Sequence, residues 1–559
     1  MNLMDRYLER TSFDSYEDFA KNLHILVPQN FNFAYDIIDE YARLEPERPA
    51  LVWCDDHGGE ISFTFTELKR LSDKAANLFV RLGVKKGDRI MLMLRRRYEF
   101  YTVAFALAKI GAVYIPSTNQ LTEKDLEYRN NAASVKMIVA FSQEDIIRHV
   151  EAAGPISPTV ETLVLVGGSR EGWVDFDAEM KTASSAWNRP VGTADTQNDD
   201  PMIIYFTSGT TAMPKMALHP FTYPLGHIVT ARYWQQVQDG GLHLTLADSG
   251  WAKFGWGKLY GQWICGAVQF VYDMDRFEPS ALLDKISHYR LTTFCAPPTI
   301  YRFLLQQDLG RYDLSSLRHC STAGEPLNAE VFSKFLHETG LQIYNGFGQS
   351  ETTVLVHDNE WMAIQPGSMG MPNPAYRIDI VDENGATCAP GVEGELVIRD
   401  ADSNRPVGLF TGYFQDEEVT RRVWHDDVYH TGDVAYRDEH GLFWFVGRND
   451  DVIKASGYRI SPFEVESAVI SHPAVVECAV TGSPDSLRGI VVKATVVLAK
   501  GYDPSEELMR DIQEFVKKVT APYKYPRILE FVDELPKTIG GKIKRAQIRR
   551  EDQSKYMDK

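Results

Sequence analysis

From the N-terminus to about residue 396, apolar runs of strand length alternate with stretches whose apolar positions recur at helical spacing. One such stretch carries Leu68, Leu71, Ala75, Leu78 and Phe79 on one face, opens with Thr64 and Glu67 at capping-box spacing, and stops near Gly83. Strands are expected at residues 89–94, 112–115 and 135–141, with a helix running to Gly111. Another strand is expected at 202–206, and the rhythm continues with strands near 268–272, 291–295, 318–322 and 341–345. Such alternation predicts βαβ units, hence an α/β fold with parallel sheets. From about residue 376 the pattern changes to short strands between Gly, Asp and Asn turns, including 377–381 and 394–398, which reads as a small β subdomain. Beyond the polar run at 447–451, Ser461, Pro462 and Glu464 have the spacing of another capping box. Strands at 477–481, 491–498 and 528–532 and a helix at 505–519 then outline a small α+β unit. The expected division is an N-terminal domain, residues 1–449, and a C-terminal domain, residues 450–559.

At 559 residues the chain is too long for a single compact core, in keeping with that division. Lys and Arg number 59 and Asp and Glu 77, a net charge of −18, which argues against a nucleic-acid-binding body. Six cysteines are scattered without a Cys-x-x-Cys pair and read as reduced core residues, neither a disulfide frame nor a zinc site. No apolar run approaches the roughly 20 residues of a membrane span. The first residues, Met1 to Arg6, lack a long apolar segment and acidic residues follow soon after, so a cytoplasmic protein without signal or transit peptide is expected.

The residues that change the picture sit in loops after strands, where open α/β sheets collect their ligands. The apolar run at 202–206 ends in Thr207-Ser208-Gly209-Thr210-Thr211-Ala212-Met213-Pro214-Lys215. Four hydroxyls can donate to phosphate oxygens, Gly209 admits close backbone approach, and Lys215 supplies positive charge. A Walker A pattern is absent from the sequence. Two later loops, Ser321 to Pro326 and Tyr344 to Glu351, lie about one βα unit apart, and Glu351 is a candidate Mg²⁺ ligand because that ion takes one or two carboxylates beside substrate phosphates. Between the 207–215 loop and these two, residues 248–261 interleave glycine with Trp251, Trp256 and Tyr260, a pattern suited to the wall of an apolar slot. Asp433 can accept from two sugar hydroxyls and Arg448 can donate to the same sugar.

The stretch Thr207 to Lys215 resembles the phosphate loop of the adenylate-forming acyl-CoA synthetases, the acyl-activating or luciferase-like superfamily, with Ala212 where that family usually carries Gly. Gly324-Glu325-Pro326 is similar to its adenine loop, and Asn345-Gly346-Phe347-Gly348-Gln349-Ser350-Glu351 to its Tyr/Phe-Gly-x-Thr-Glu motif, with Ser350 keeping the hydroxyl of the usual Thr. Thr431-Gly432-Asp433 and Gly447-Arg448 resemble the ribose-contacting motifs. By the same resemblance Asp450 is the hinge about which the C-terminal domain rotates, Gly457 borders the CoA tunnel, Arg459 faces phosphate, and Lys542, in the basic loop 536–545, is the catalytic lysine of a mobile domain. Residues 248–261 correspond to the family's acid-binding region, implying a pocket of Trp251, Lys253, Trp256, Ala323 and Gly348. Members restricted to acetate carry Trp where this chain has Gly348, which implies room for a larger acid.

The chemistry implied has two steps. A carboxylate attacks the α-phosphate of ATP to give acyl-AMP, and CoA thiolate then displaces AMP. Lys542, Thr207 and Glu351 with Mg²⁺ would offset the repulsion between anions, and no enzyme nucleophile is needed. The expectation is therefore an ATP-dependent carboxylic acid:CoA ligase, most like the medium-chain acyl-CoA synthetases. Two alternatives stand beside it: an adenylating enzyme that serves a separate carrier protein, and a non-catalytic nucleotide-binding protein. Association as a homodimer and acetylation of Lys542 as a control are carried as further expectations.

Overall fold

A computed structural model of the chain describes residues 2–207, 213–325, 327–449, 451–455, 458–485, 489–537 and 542–557. The helix at Phe65–Arg81 forms where the pattern placed it: Glu67 N donates to Thr64 Oγ1 (3.2 Å), Thr64 N donates to Glu67 Oε2 (2.8 Å), and Leu68, Ala75, Leu78 and Phe79 are buried. The helix at Glu99–Ile110, buried along its whole length, ends at Gly111 with φ +82°, a left-handed turn that only glycine adopts without strain.

These helices cover a seven-stranded sheet in which Arg89–Met93, Val113–Pro116, Met137–Phe141, Thr162–Val166 and Pro201–Thr207 run parallel to their neighbours. One edge strand, Lys215–Pro220, runs antiparallel to Pro201–Thr207 and was not legible in the pattern. A nine-stranded sheet has a parallel centre of Leu242–Thr245, Val268–Asp273, Thr293–Cys295, His319–Ala323 and Ile343–Gly348. Antiparallel pairs close both of its edges. The carboxyl ends of Pro201–Thr207, His319–Ala323 and Ile343–Gly348 are thereby brought to one region.

The expected β subdomain is a five-stranded antiparallel sheet that includes Arg377–Val381, Gly394–Arg399, Val428–Arg437 and Phe443–Arg448. Farther on, Ile453, Val465, Val469, Val480, Val492, Ile512 and Val516 share a core of their own. At the start of the Pro462–Ile470 helix Ser461 accepts from Glu464 N (3.2 Å), but the expected reciprocal bond is replaced: both Glu464 oxygens lie 2.6 Å from Lys524 Nζ. Ser461 Oγ instead donates to Val446 O, tying this helix to the preceding sheet. All six cysteines are buried and unbridged, and no helix among the described residues is long and apolar enough to cross a membrane.

Candidate active site

The hairpin formed by Pro201–Thr207 and Lys215–Pro220 pairs Thr207 with Lys215 at the end where the connecting segment begins; Ser208, Gly209, Thr210, Thr211 and Ala212 lie outside the described residues. Residues 411–414 run beside the second strand, with Phe414 N donating to Met216 O (2.8 Å) and Leu218 N to Gly412 O (3.1 Å). Tyr413 is set there beneath Lys215, whose Nζ is 4.9 Å from the ring centroid. The same phenol donates to Glu351 Oε1 (2.8 Å). Burial, and after it the Glu351 charge, push the Tyr413 phenol far above its ordinary range, so it remains a donor. Glu351 is itself buried, and its carbonyl accepts from Phe410 N (2.8 Å). His219 bonds Ser350 O through Nε2 (2.7 Å); burial holds its pKa down to about 3, so the ring is neutral and Nε2 carries the donated proton. Tyr413 and His219 thus lash the Ser350–Glu351 turn to the phosphate hairpin.

At the end of His319–Ala323 the chain turns at Gly324, φ +96°, and Glu325 Oε2 accepts from Thr299 Oγ1 (2.9 Å); Pro326 lies outside the described residues. Asn345 is turned into the fold, its side-chain amide donating to Ser368 O (2.8 Å) and its backbone N to Asp358 Oδ2 (2.7 Å). Gln349, which the sequence reading passed over, donates through Nε2 to Asp433 Oδ2 (2.6 Å) and Thr431 O (2.8 Å), and accepts from Tyr429 Oη (2.7 Å). Asp433 and Arg448 face each other across paired strands, with Arg448 Nε 3.8 Å from Asp433 Oδ1. Burial lifts the Asp433 pKa to about 6, against the pull of Arg448. The exposed Lys542 also acts electrostatically on Asp433, and its charge bears on Lys253 as well. Arg459 lies on the short strand Tyr458–Ile460, whereas Asp450 and Gly457 fall outside the described residues.

The expected aromatic wall is a helix, Ala252–Lys258, entered through the partly buried Trp251. Lys253 Nζ donates to Ala323 O (2.5 Å), and buried Trp256 donates through Nε1 to Thr352 O (3.2 Å). The room inferred above Gly348 is not open. The Trp256 indole occupies it, so that a Cβ on Gly348 would overlap the ring and stand 2.6 Å from Thr353 O. Gly346, two residues earlier, abuts Trp234 in the same way, and the two indoles meet edge to face with centroids 6.2 Å apart. Gly348→Ala is therefore expected to destabilise the fold by about 1–3 kcal/mol. A denaturant midpoint equal to that of the unmodified protein would contradict this packing. Lys258 is fully buried, and burial followed by the Arg96 charge lowers its pKa to about 7. It lies in the fields of Asp248 and Asp273.

A phosphate hairpin, a buried carboxylate beside it, an acid and arginine facing across paired strands, and a C-terminal lysine whose charge bears on that acid define an adenylate-forming enzyme. The AMP-binding enzyme family matches residues 38–414 and the AMP-binding enzyme C-terminal domain matches residues 464–542; the chain belongs to this family. It is 42% identical over 551 residues to the mitochondrial acyl-coenzyme A synthetase ACSM3 of Mus musculus, covering 97% of this chain and 94% of that protein. With the mitochondrial ACSM4 of Homo sapiens it shares 45% over 534 residues, 94% of this chain and 91% of that one. Among solved structures, the anthranilate CoA ligase AuaEII in complex with anthranoyl-AMP superposes with a TM-score of 0.87 at 28% identity, covering 95% of this chain and 99% of that one. A benzoate CoA ligase from Burkholderia xenovorans LB400 gives 0.79 at 26% identity over 93% and 100%. The chain is an AMP-forming acid:CoA ligase that takes ATP and CoA as substrates. The cytoplasmic expectation is corrected by the same relatives, which are named as mitochondrial enzymes. Among the residues that prompted it, Leu3 and Met4 are buried in the core.

Proposed function

We propose that the acid is larger than acetate, medium-chain or branched, and that adenylation takes place between the phosphate hairpin and Lys542. Lys542 carries this reading: a residue 109 positions beyond Asp433 bears electrostatically on it and on Lys253, which supports one C-terminal lysine serving both the ribose carboxylate and the acid-pocket helix. Thr207 and Lys215, with the intervening loop, hold the phosphates; the Gly324–Glu325 turn and residues 346–350 border the base; Asp433 and Arg448 hold the ribose. The AMP-binding body is residues 1–449, and residues 450–559 rotate about Asp450 so that Lys542 serves adenylation and Gly457 serves CoA.

Glu351 fits Mg²⁺. Tyr413 occupies one of its oxygens, and a single carboxylate is what this ion takes when phosphates and waters complete its shell. Bound there, Mg²⁺ supplies positive charge to the phosphates. Lys542 is exposed and within reach of an acetylating agent; loss of its charge would impair adenylation. Mass analysis finding that lysine unmodified in protein from every growth condition would count against this control.

The deciding experiment measures AMP and acyl-CoA formation across acetate, branched, medium-chain and aromatic acids. A CoA-dependent maximum beyond acetate is expected, and a maximum at acetate would overturn the size assignment. Asp433 adds a pH signature. Its raised pKa means the ionised form is destabilised by burial, and the carboxylate needed by the ribose is lost as pH falls through about 6. KM for ATP should rise below that pH, and in Asp433→Asn the inflection should vanish; an inflection that survives would assign it to another group.

A further inference from the structure

Lys253 lies where the acid-pocket helix meets the adenine loop. It stands in the first turn of Ala252–Lys258, the helix that also carries Trp256, yet its ammonium reaches across to Ala323 O at 2.5 Å. Its Nζ lies 3.8 Å from the position a Cβ on Gly324 would occupy, against the left-handed turn that follows Ala323. An ammonium has three donors, and among the described residues one hydrogen bond is formed. The surroundings are poor for a cation: partial burial lowers the pKa, Glu325 opposes the effect, and Lys542 adds to it. Lys253 and Lys542, from different parts of the chain, are thus like charges that act on one another.

We propose that Lys253 is a positioning residue for adenylation, holding the adenine turn through Ala323 and setting the acid's carboxylate and the α-phosphate between its own ammonium and that of Lys542. This rests on the adenylation reading above. An anion entering between the two cations relieves their repulsion, so the pair attracts substrate more strongly than either lysine in isolation. Lys253 belongs to the body that holds the nucleotide and remains when Lys542 withdraws. It thus keeps a counter-charge on acyl-AMP while CoA approaches.

Two substitutions separate the parts of the role. Lys253→Gln removes the charge and can still donate to Ala323 O. The expected result is a rise of about tenfold in KM for the acid with KM for ATP within about twofold, and more acyl-AMP escaping to solution when CoA is withheld. Lys253→Arg, which keeps the charge, should restore most of the acid KM. An unchanged acid KM and unchanged acyl-AMP escape in Lys253→Gln would overturn the proposal, as would a rise confined to KM for ATP, which would leave Lys253 a prop for the loop alone. If Lys253→Gln does not fold, the acid KM of Lys253→Arg decides: a value within about threefold of the unmodified enzyme supports the charge role, and a larger loss rejects it. Should Lys542→Ala leave adenylation intact, the underlying reading fails whatever Lys253 does. An intact Lys542 effect with no Lys253 effect removes this inference alone.

Discussion

Replacing Lys542 with alanine should lower acid-dependent pyrophosphate release about 100- to 1000-fold, the cost of removing one pre-placed charge from a transition state that gathers negative charge. The same variant, supplied with acyl-AMP and CoA, should form thioester at close to the unmodified rate. The division follows from charge and geometry. Two anions must meet in the first step, and the exposed Lys542 bears electrostatically on both Asp433 and Lys253, the residues proposed above to hold the ribose and to position the acid. In the second step a thiolate approaches the acyl carbon and AMP leaves, and a lysine held against the phosphate would obstruct rather than help. Rapid-quench measurement of each half-reaction separates the two. Equal losses in both would reject the separation of roles between Lys542 and the CoA-facing part of the C-terminal region.

Local signals in the sequence were read well, and distant ones were not. Thr64 and Glu67 cap the Phe65–Arg81 helix with groups three residues apart, so the pattern alone located it. The strand Lys215–Pro220 was missed because nothing in Lys-Met-Ala-Leu-His-Pro announces a hairpin partner for the strand before it. The Gly-rich run at 252–258 is helical because its glycines lie against other elements, Gly255 against Tyr205 and Gly257 against Thr245. The nucleotide motifs were legible as words in order, whereas their supports were not: Tyr413 reaches Glu351 from 62 residues away and Gln349 meets Asp433 across 84. Gly348 shows the limit most clearly. A glycine in a sequence signals only a missing side chain, and here a tryptophan from 92 residues earlier takes the space. The space beside Gly348 is therefore filled by Trp256 and is not a void.

Glu351→Gln should lower the overall rate about 100-fold or more and move the Mg²⁺ concentration for half-maximal activity upward by at least about tenfold. The substitution is a narrow one. Glutamine keeps the length of the side chain, and its carbonyl can accept the Tyr413 hydroxyl in place of Oε1, so the link through Tyr413 to the Lys215 hairpin survives. What is removed is one negative charge, buried 8% exposed beside a phenol that burial and this same charge hold protonated. Folding stability should therefore be kept or slightly raised, since a neutral amide is easier to bury than a carboxylate. Tyr413→Phe makes the converse change: it leaves the charge and removes the bond that orients it, and should raise the Mg²⁺ concentration for half-maximal activity by about 10-fold with a smaller loss of rate. A Mg²⁺ titration of Glu351→Gln that superimposes on the unmodified enzyme, at equal thermal stability, would show that Glu351 does not hold the metal. A fall in stability together with an unchanged titration would make the role of the Glu351 charge a structural one within the fold.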